Sequence, residues 1–116
     1  MSIDINLPSI YCVENGLYKV TISVEDDGSV AWDQIQDVHI QVWEADGRPT
    51  DRKRRAKFQP TDGRYVIEWN ARWFGGLAVW DTFRFRVTLV SESGRALKQV
   101  ESGDVTVVTS DWLRSQ

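Results

Sequence analysis

Apolar residues recur at every second position in stretch after stretch of this chain, and short Gly-containing turns separate the stretches. Tyr18, Val20, Ile22 and Val24 alternate with Leu17, Lys19, Thr21 and Ser23; Val38, Ile40 and Val42 alternate with His39, Gln41 and Trp43. Phe83, Phe85, Val87 and Leu89 alternate with Arg84, Arg86, Thr88 and Val90. A β-strand turns successive side chains to opposite faces, so this period of two gives each stretch one apolar and one polar face. Val105-Thr106-Val107-Val108-Thr109 adds a β-branched run suited to a pleated surface, and Ala96–Val100 and Ser9–Val13 are weaker strand candidates. Between the runs fall Asn15-Gly16, Asp27-Gly28, Asp46-Gly47, Asp62-Gly63 and Ser93-Gly94, dipeptides that supply the positive φ of tight turns. Pro49 and Pro60 also lie outside the apolar runs. No window shows sustained helical spacing. Val30–Ile35 fits either one helical turn capped by Ser29 or a short strand. The expected fold is all-β: an antiparallel two-layer sandwich of about seven strands, Ig-like or fibronectin-III-like, with a closed barrel as the competing architecture.

A chain of 116 residues is the size of one domain, and it can bury a conventional core without disulfide or metal staples. We expect a single domain over residues 1–116, with 109–116 as a fraying tail that Trp112 could pin back onto the body. Apolar runs are far shorter than the roughly 20 residues needed to span a bilayer, which argues against membrane insertion. The segment Met1–Leu7 has neither the basic nor the apolar part of a secretory signal. Cys12 is alone, which rules out an internal disulfide and a Cys-rich metal site. These features suit a cytoplasmic protein or a part of a larger assembly.

A family resemblance is carried by the central half of the chain. Ile40-Gln41-Val42-Trp43-Glu44-Ala45-Asp46-Gly47 precedes Asp62-Gly63-Arg64-Tyr65-Val66-Ile67-Glu68-Trp69-Asn70-Ala71-Arg72. Then come Gly75-Gly76-Leu77-Ala78-Val79-Trp80-Asp81 and Phe83-Arg84-Phe85-Arg86-Val87. This order resembles the Ig-like modules of flagellar hook-capping proteins and related C-terminal modules of bacterial surface proteins. Asn70-Ala71 stands where that pattern has Asp-Gly, and Trp80-Asp81-Thr82 where it has Gly before the aromatic strand. The resemblance implies an Ig-like sandwich of bacterial or phage setting, in a scaffold or adaptor role without catalysis.

Two features offer candidate binding surfaces. Seven of the thirteen aromatic residues lie between Tyr65 and Phe85. Tyr65, Trp69, Phe83 and Phe85 alternate with charged neighbours and read as core, where large aromatics bury the most area. Trp73, Phe74 and Trp80 flank Gly75-Gly76 and could present flat faces to a sugar ring or a protein partner, although core or end-cap packing is the favoured account of them. The second feature is basic. Arg48, Arg52, Lys53, Arg54, Arg55 and Lys57 stand against Asp51, a net +5 that leaves −8 on the rest of the chain and −3 overall. Such a run attracts acidic surfaces, while the surrounding negative charge argues against a long nucleic acid. The plainer reading is a solvated edge strand or hairpin loop whose charges block sheet-to-sheet aggregation.

The remaining chemistry is sparse. His39 is the only histidine and reads as a solvent-facing strand residue. No Gly-x-Ser-x-Gly elbow accompanies it, so a catalytic triad has no support. Cys12 sits in an apolar run and reads as a small buried hydrophobe. Glu25-Asp26-Asp27, Asp46, Asp62 and Asp104 fall at turns, but no Asp-x-Asp-x-Asp-Gly loop is present to hold calcium. Glu68 with Asp81 would need a cleft to act as a hydrolytic pair. The sequence thus leads us to expect no catalytic residues, no metal and no cofactor. The expected role is a non-enzymatic interaction or structural module that meets an acidic protein partner or itself. A carbohydrate-binding module using the loop aromatics is the alternative.

Overall fold

The computed structural model describes residues 2–12, 18–28, 32–70 (Asn70 by its backbone alone) and 80–116. Nine strands run through them: β1 (Ser2–Asn6), β2 (Ile10–Cys12), β3 (Lys19–Glu25), β4 (Ile35–Glu44), β5 (Pro49–Lys57), β6 (Arg64–Asn70), β7 (Thr82–Ser91), β8 (Ala96–Glu101) and β9 (Val105–Val108). The sequence predicts about seven; β1 and β5 are the additions. β1 is only five residues long. β5 lacks the apolar alternation because it is a sheet edge, paired with β4 alone among the described residues. The undecided stretch before β4 is a 3-10 turn over Trp32–Gln34.

The strands form two sheets. One is β1-β3-β6, antiparallel throughout. The other runs β2-β9-β7-β4-β5, with β8 also on β7. β4 lies along the full length of β7, whose opposite edge is shared by β9 at Thr82–Phe83 and β8 from Arg86 to Val90. Ser102 holds the step between those two: its backbone N–H donates to the Phe85 carbonyl at 2.8 Å, and its hydroxyl accepts from the Phe85 N–H at 2.9 Å. A closed barrel would need a ladder joining the sheets, and the described residues form none. The fold is an all-β sandwich.

The core follows the period-two reading closely. Val20, Ile22 and Val24 of β3, Val38, Ile40 and Val42 of β4, and Phe85, Val87 and Leu89 of β7 are fully buried in one cluster. Phe83 and Tyr65 join it, and Trp69 packs half-buried against its edge. Tyr18 stacks on Phe85 with ring centres 6.2 Å apart, and Phe83 meets Phe85 edge-on at 5.5 Å. The Tyr18 hydroxyl donates to the Pro8 carbonyl. The Tyr65 hydroxyl donates to the Lys57 carbonyl at 3.2 Å, tying the β6 edge of one sheet to the β5 edge of the other. Buried phenols need such acceptors, since an unpaired hydroxyl in the core would cost about 1–3 kcal/mol.

Turn chemistry explains the connections. Asp62 (φ 53°) and Gly63 (φ 72°) both adopt left-handed backbone. They form a two-residue turn in which Thr61 and Arg64 exchange N–H···O bonds of 2.7 and 3.1 Å. In the tail, Ser110–Arg114 closes one helical turn, with the Thr109 hydroxyl accepting from the Trp112 N–H at 3.2 Å. Trp112 then meets Trp80 edge-on at 5.9 Å.

Candidate functional site

The face of β4 that turns away from the core carries Asp37, His39, Gln41 and Trp43, since Val38, Ile40 and Val42 all point inward. Residues opposite one another on paired strands share a face. His39 lies opposite Arg55 on β5 and Thr88 on β7; Gln41 lies opposite Lys53 and Arg86; Asp37 lies opposite Lys57. The outer face of the larger sheet therefore gathers Lys53, Arg55, Lys57 and His39. Two adjoining depressions of about 270 and 330 Å³ open there, and His39 and Lys53 line both.

The charge on this face is unevenly compensated. On β7, Arg86 pairs with Glu101 at 2.6 Å and Arg84 with Asp104 at 2.5 Å. The Arg86 guanidinium also lies 3.5 Å from the centre of the Trp43 ring, a cation–π contact. The buried Trp43 Nε1 has no acceptor among the described residues. On β5, no ion pair engages Lys53, Arg55 or Lys57 among the described residues. Partial burial pushes the His39 imidazole below its ordinary value near 6.5, Lys53 lowers it further, Asp37 opposes and Arg55 again lowers. His39 is consequently neutral at neutral pH.

The basic run is not one patch. Arg48 is withdrawn from it: in the β4–β5 hairpin its guanidinium pairs with both Glu44 and Asp46 at 2.7 Å. Arg54 lies opposite the inward-facing Ile40, out of alternation with Lys53 and Arg55, although it still borders the depression of about 330 Å³ that those two share with His39. Arg52 falls where β5 widens, between the Gln41–Lys53 and Trp43–Pro49 pairs. There the Thr50 hydroxyl donates to the Val42 carbonyl and accepts from the Arg52 N–H, while Gln41 Nε2 donates to the Thr50 carbonyl. A bulge of this kind twists an edge strand and disfavours further strand addition.

The aromatic loop divides differently. Trp73 and Phe74 lie outside the described residues. Trp80 is 55% exposed and takes a positive φ of 73°, with its N–H bonded to the Val107 carbonyl at 2.7 Å. Its ring meets Trp112 at 82°, so the two indoles do not make one flat platform. Trp80 borders a depression of about 320 Å³ together with Asp46, Arg48 and Thr82.

Among the other candidates, Cys12 is buried, as its apolar run predicts. Glu68 lies in β6 of the smaller sheet and pairs with Lys19 at 3.1 Å, whereas Asp81 immediately precedes β7 of the larger one. Among the described residues no group of three His, Cys, Asp or Glu side chains could hold a metal ion, and no helix is long and apolar enough to cross a membrane. Arg86, Thr88 and Gln99, which also line the face beside His39, are absent from the sequence candidates. Their signal is present in the polar half of the alternation, but strand pairing was needed to bring those halves together. No protein-family model and no characterised protein matches the sequence.

Proposed function

We propose that this sandwich is a non-enzymatic interaction or assembly module that docks an acidic protein surface on the outer face of its larger sheet. The observation that carries the reading is the unpaired set Lys53, Arg55 and Lys57, held on one face of β5 at alternate positions and facing solvent. Charge so placed steers an acidic partner and fixes its register. An Ig-like or fibronectin-III-like assignment is supported by the strand partition, β1-β3-β6 against β5-β4-β7-β9. Poly-glutamate binding, followed by fluorescence anisotropy at low and high salt, tests the docking reading. Lys53→Glu with Arg55→Glu should weaken binding by an order of magnitude at low salt while the circular dichroism spectrum stays unchanged. Binding that ignores both the substitutions and the salt would refute it.

A carbohydrate-binding role draws its support from Trp80, whose exposed ring edges a depression containing Asp46 and Arg48. It has the weaker claim, because the described part of the loop offers one indole, already engaged by Trp112.

A further inference from the structure

We propose that the depression between β4 and β5 is a binding site for a single tetrahedral dianion, a phosphate or sulfate group, seated against Lys53, Arg55 and His39. The argument begins with charge. Lys53 and Arg55 bring two positive charges to one side of His39, and Asp37 is the only carboxylate beside it on its own strand. Two fixed positive charges match a dianion better than a carboxylate, which a single guanidinium satisfies in bidentate fashion. Donor geometry agrees. The ammonium of Lys53, the guanidinium of Arg55 and the imidazole of His39 approach from two strands, and tetrahedral oxygens accept from several directions where a planar carboxylate does not.

Thr88 borders the adjoining depression: it lies opposite His39 on β7, and its hydroxyl accepts from Gln99 Nε2 at 3.0 Å. Gln41 is excluded from the set by its bond to the Thr50 carbonyl. Arg86 is held by Glu101 and Trp43, so it borders the site without being committed to it. The charged groups around His39 are Asp37 on β4, Lys53, Arg55 and the more distant Lys57 on β5, Arg54 of β5 at the rim of the same depression, and Arg86 on β7.

The site has a built-in response to pH. Without an anion the His39 titration is lowered, first by partial burial and then by the positive charges of Lys53 and Arg55, against the opposing Asp37. A dianion reverses that balance and favours the imidazolium. By linkage, binding strengthens as pH falls from the liganded titration midpoint of His39 towards the unliganded one, and a rise of about one unit on binding corresponds to roughly tenfold tighter binding by the protonated form.

His39 is the only histidine, so its imidazole resonances report on the site without ambiguity. The experiment is an NMR titration of those resonances in sodium sulfate, which stays dianionic throughout, against sodium chloride at matched ionic strength. The chloride arm is required because screening of Lys53 and Arg55 alone raises the His39 titration midpoint. A third arm uses a phosphoserine peptide and its unphosphorylated form. We expect sulfate to raise the midpoint by about one unit beyond chloride, saturably, and Lys53→Gln with Arg55→Gln to abolish the difference. A response to the phosphopeptide alone would support the site and assign its source to a phosphorylated side chain. Equal midpoints in all three arms, or an unchanged sulfate response in the double variant, would overturn the proposal. Poly-glutamate docking across Lys53, Arg55 and Lys57 does not require this pocket, so equal midpoints in all three arms beside intact docking refute the site alone.

Discussion

Phe85→Ala and Arg86→Ala change neighbouring residues of β7, and the sandwich assigns them very different costs. Phe85 is fully buried between Tyr18 and Phe83. Truncating it removes a large apolar side chain and opens a cavity, a change of about 3–5 kcal/mol, to which the two ring contacts add about 0.5–1.5 kcal/mol each at most. Arg86 points outward, where its pairing with Glu101 and its stacking on Trp43 together are worth roughly 1 kcal/mol. A domain of this size carries about 5–15 kcal/mol of total stability. Phe85→Ala therefore removes a large share of it, and Arg86→Ala a small one. Urea denaturation read by circular dichroism and tryptophan fluorescence measures both. With a slope of about 1.5 kcal/mol per molar urea, we expect the midpoint to fall by about 2–3 M for Phe85→Ala and by less than about 1 M for Arg86→Ala. Phe85→Leu should recover more than half of the loss, which separates cavity formation from misfolding. Equal costs at the two positions would refute the assignment of faces, because a one-residue slip of β7 exchanges the buried and exposed sets.

Two further expectations rest on other parts of the fold. Gly63→Ala should destabilise by about 1–2 kcal/mol in thermal unfolding, because a φ of 72° crowds any Cβ although the space around it is open; an unchanged melting temperature would refute the two-residue turn. Burial raises the Tyr18 phenol well above its ordinary value of 10.0, and that of Tyr65 as well. Both groups bind their protons more tightly folded than unfolded, so their contribution is fully present below about pH 10 and is lost as pH rises above it. Phenolate absorbance should show Tyr18 ionising together with unfolding, and Tyr18→Phe should flatten the alkaline loss; free titration of Tyr18 in the folded protein would contradict its burial.

Much of the fold was legible in the sequence because its signals are local. The alternation in 18–24, 38–42 and 83–89 places the buried faces of β3, β4 and β7 correctly, since a strand has only two faces and one apolar set. The dipeptides at 27–28, 46–47, 62–63 and 93–94 mark turns, each with its Gly at positive φ. β5 resisted the same reading, because an edge strand needs no apolar face. The tail resisted for another reason: a single helical turn is too short to show periodicity, and its ring contact is with a residue 32 positions earlier, Trp80. The basic run was visible as composition, yet its functional content was not. Alternation separates Lys53 and Arg55 from Arg54, and the hairpin gives Arg48 two carboxylates of its own.

The sequence by itself determined that this chain forms strands, which side of most of them is buried, and where the backbone turns back. Period-two patterning and the backbone freedom of Asp-Gly and Ser-Gly pairs act within a few residues and need no partner. Only the tertiary structure decided which strands pair, and so which polar faces meet. Pairing is fixed by closing one core between β3 and the β4–β7 pair, a condition that no local segment contains. That closure sets Arg55 beside His39, sixteen positions apart in the chain, and sends Glu101 and Asp104 to the arginines of β7, while Lys53, Arg55 and Lys57 of β5 have no ion pair among the described residues. The candidate site exists because of that distribution.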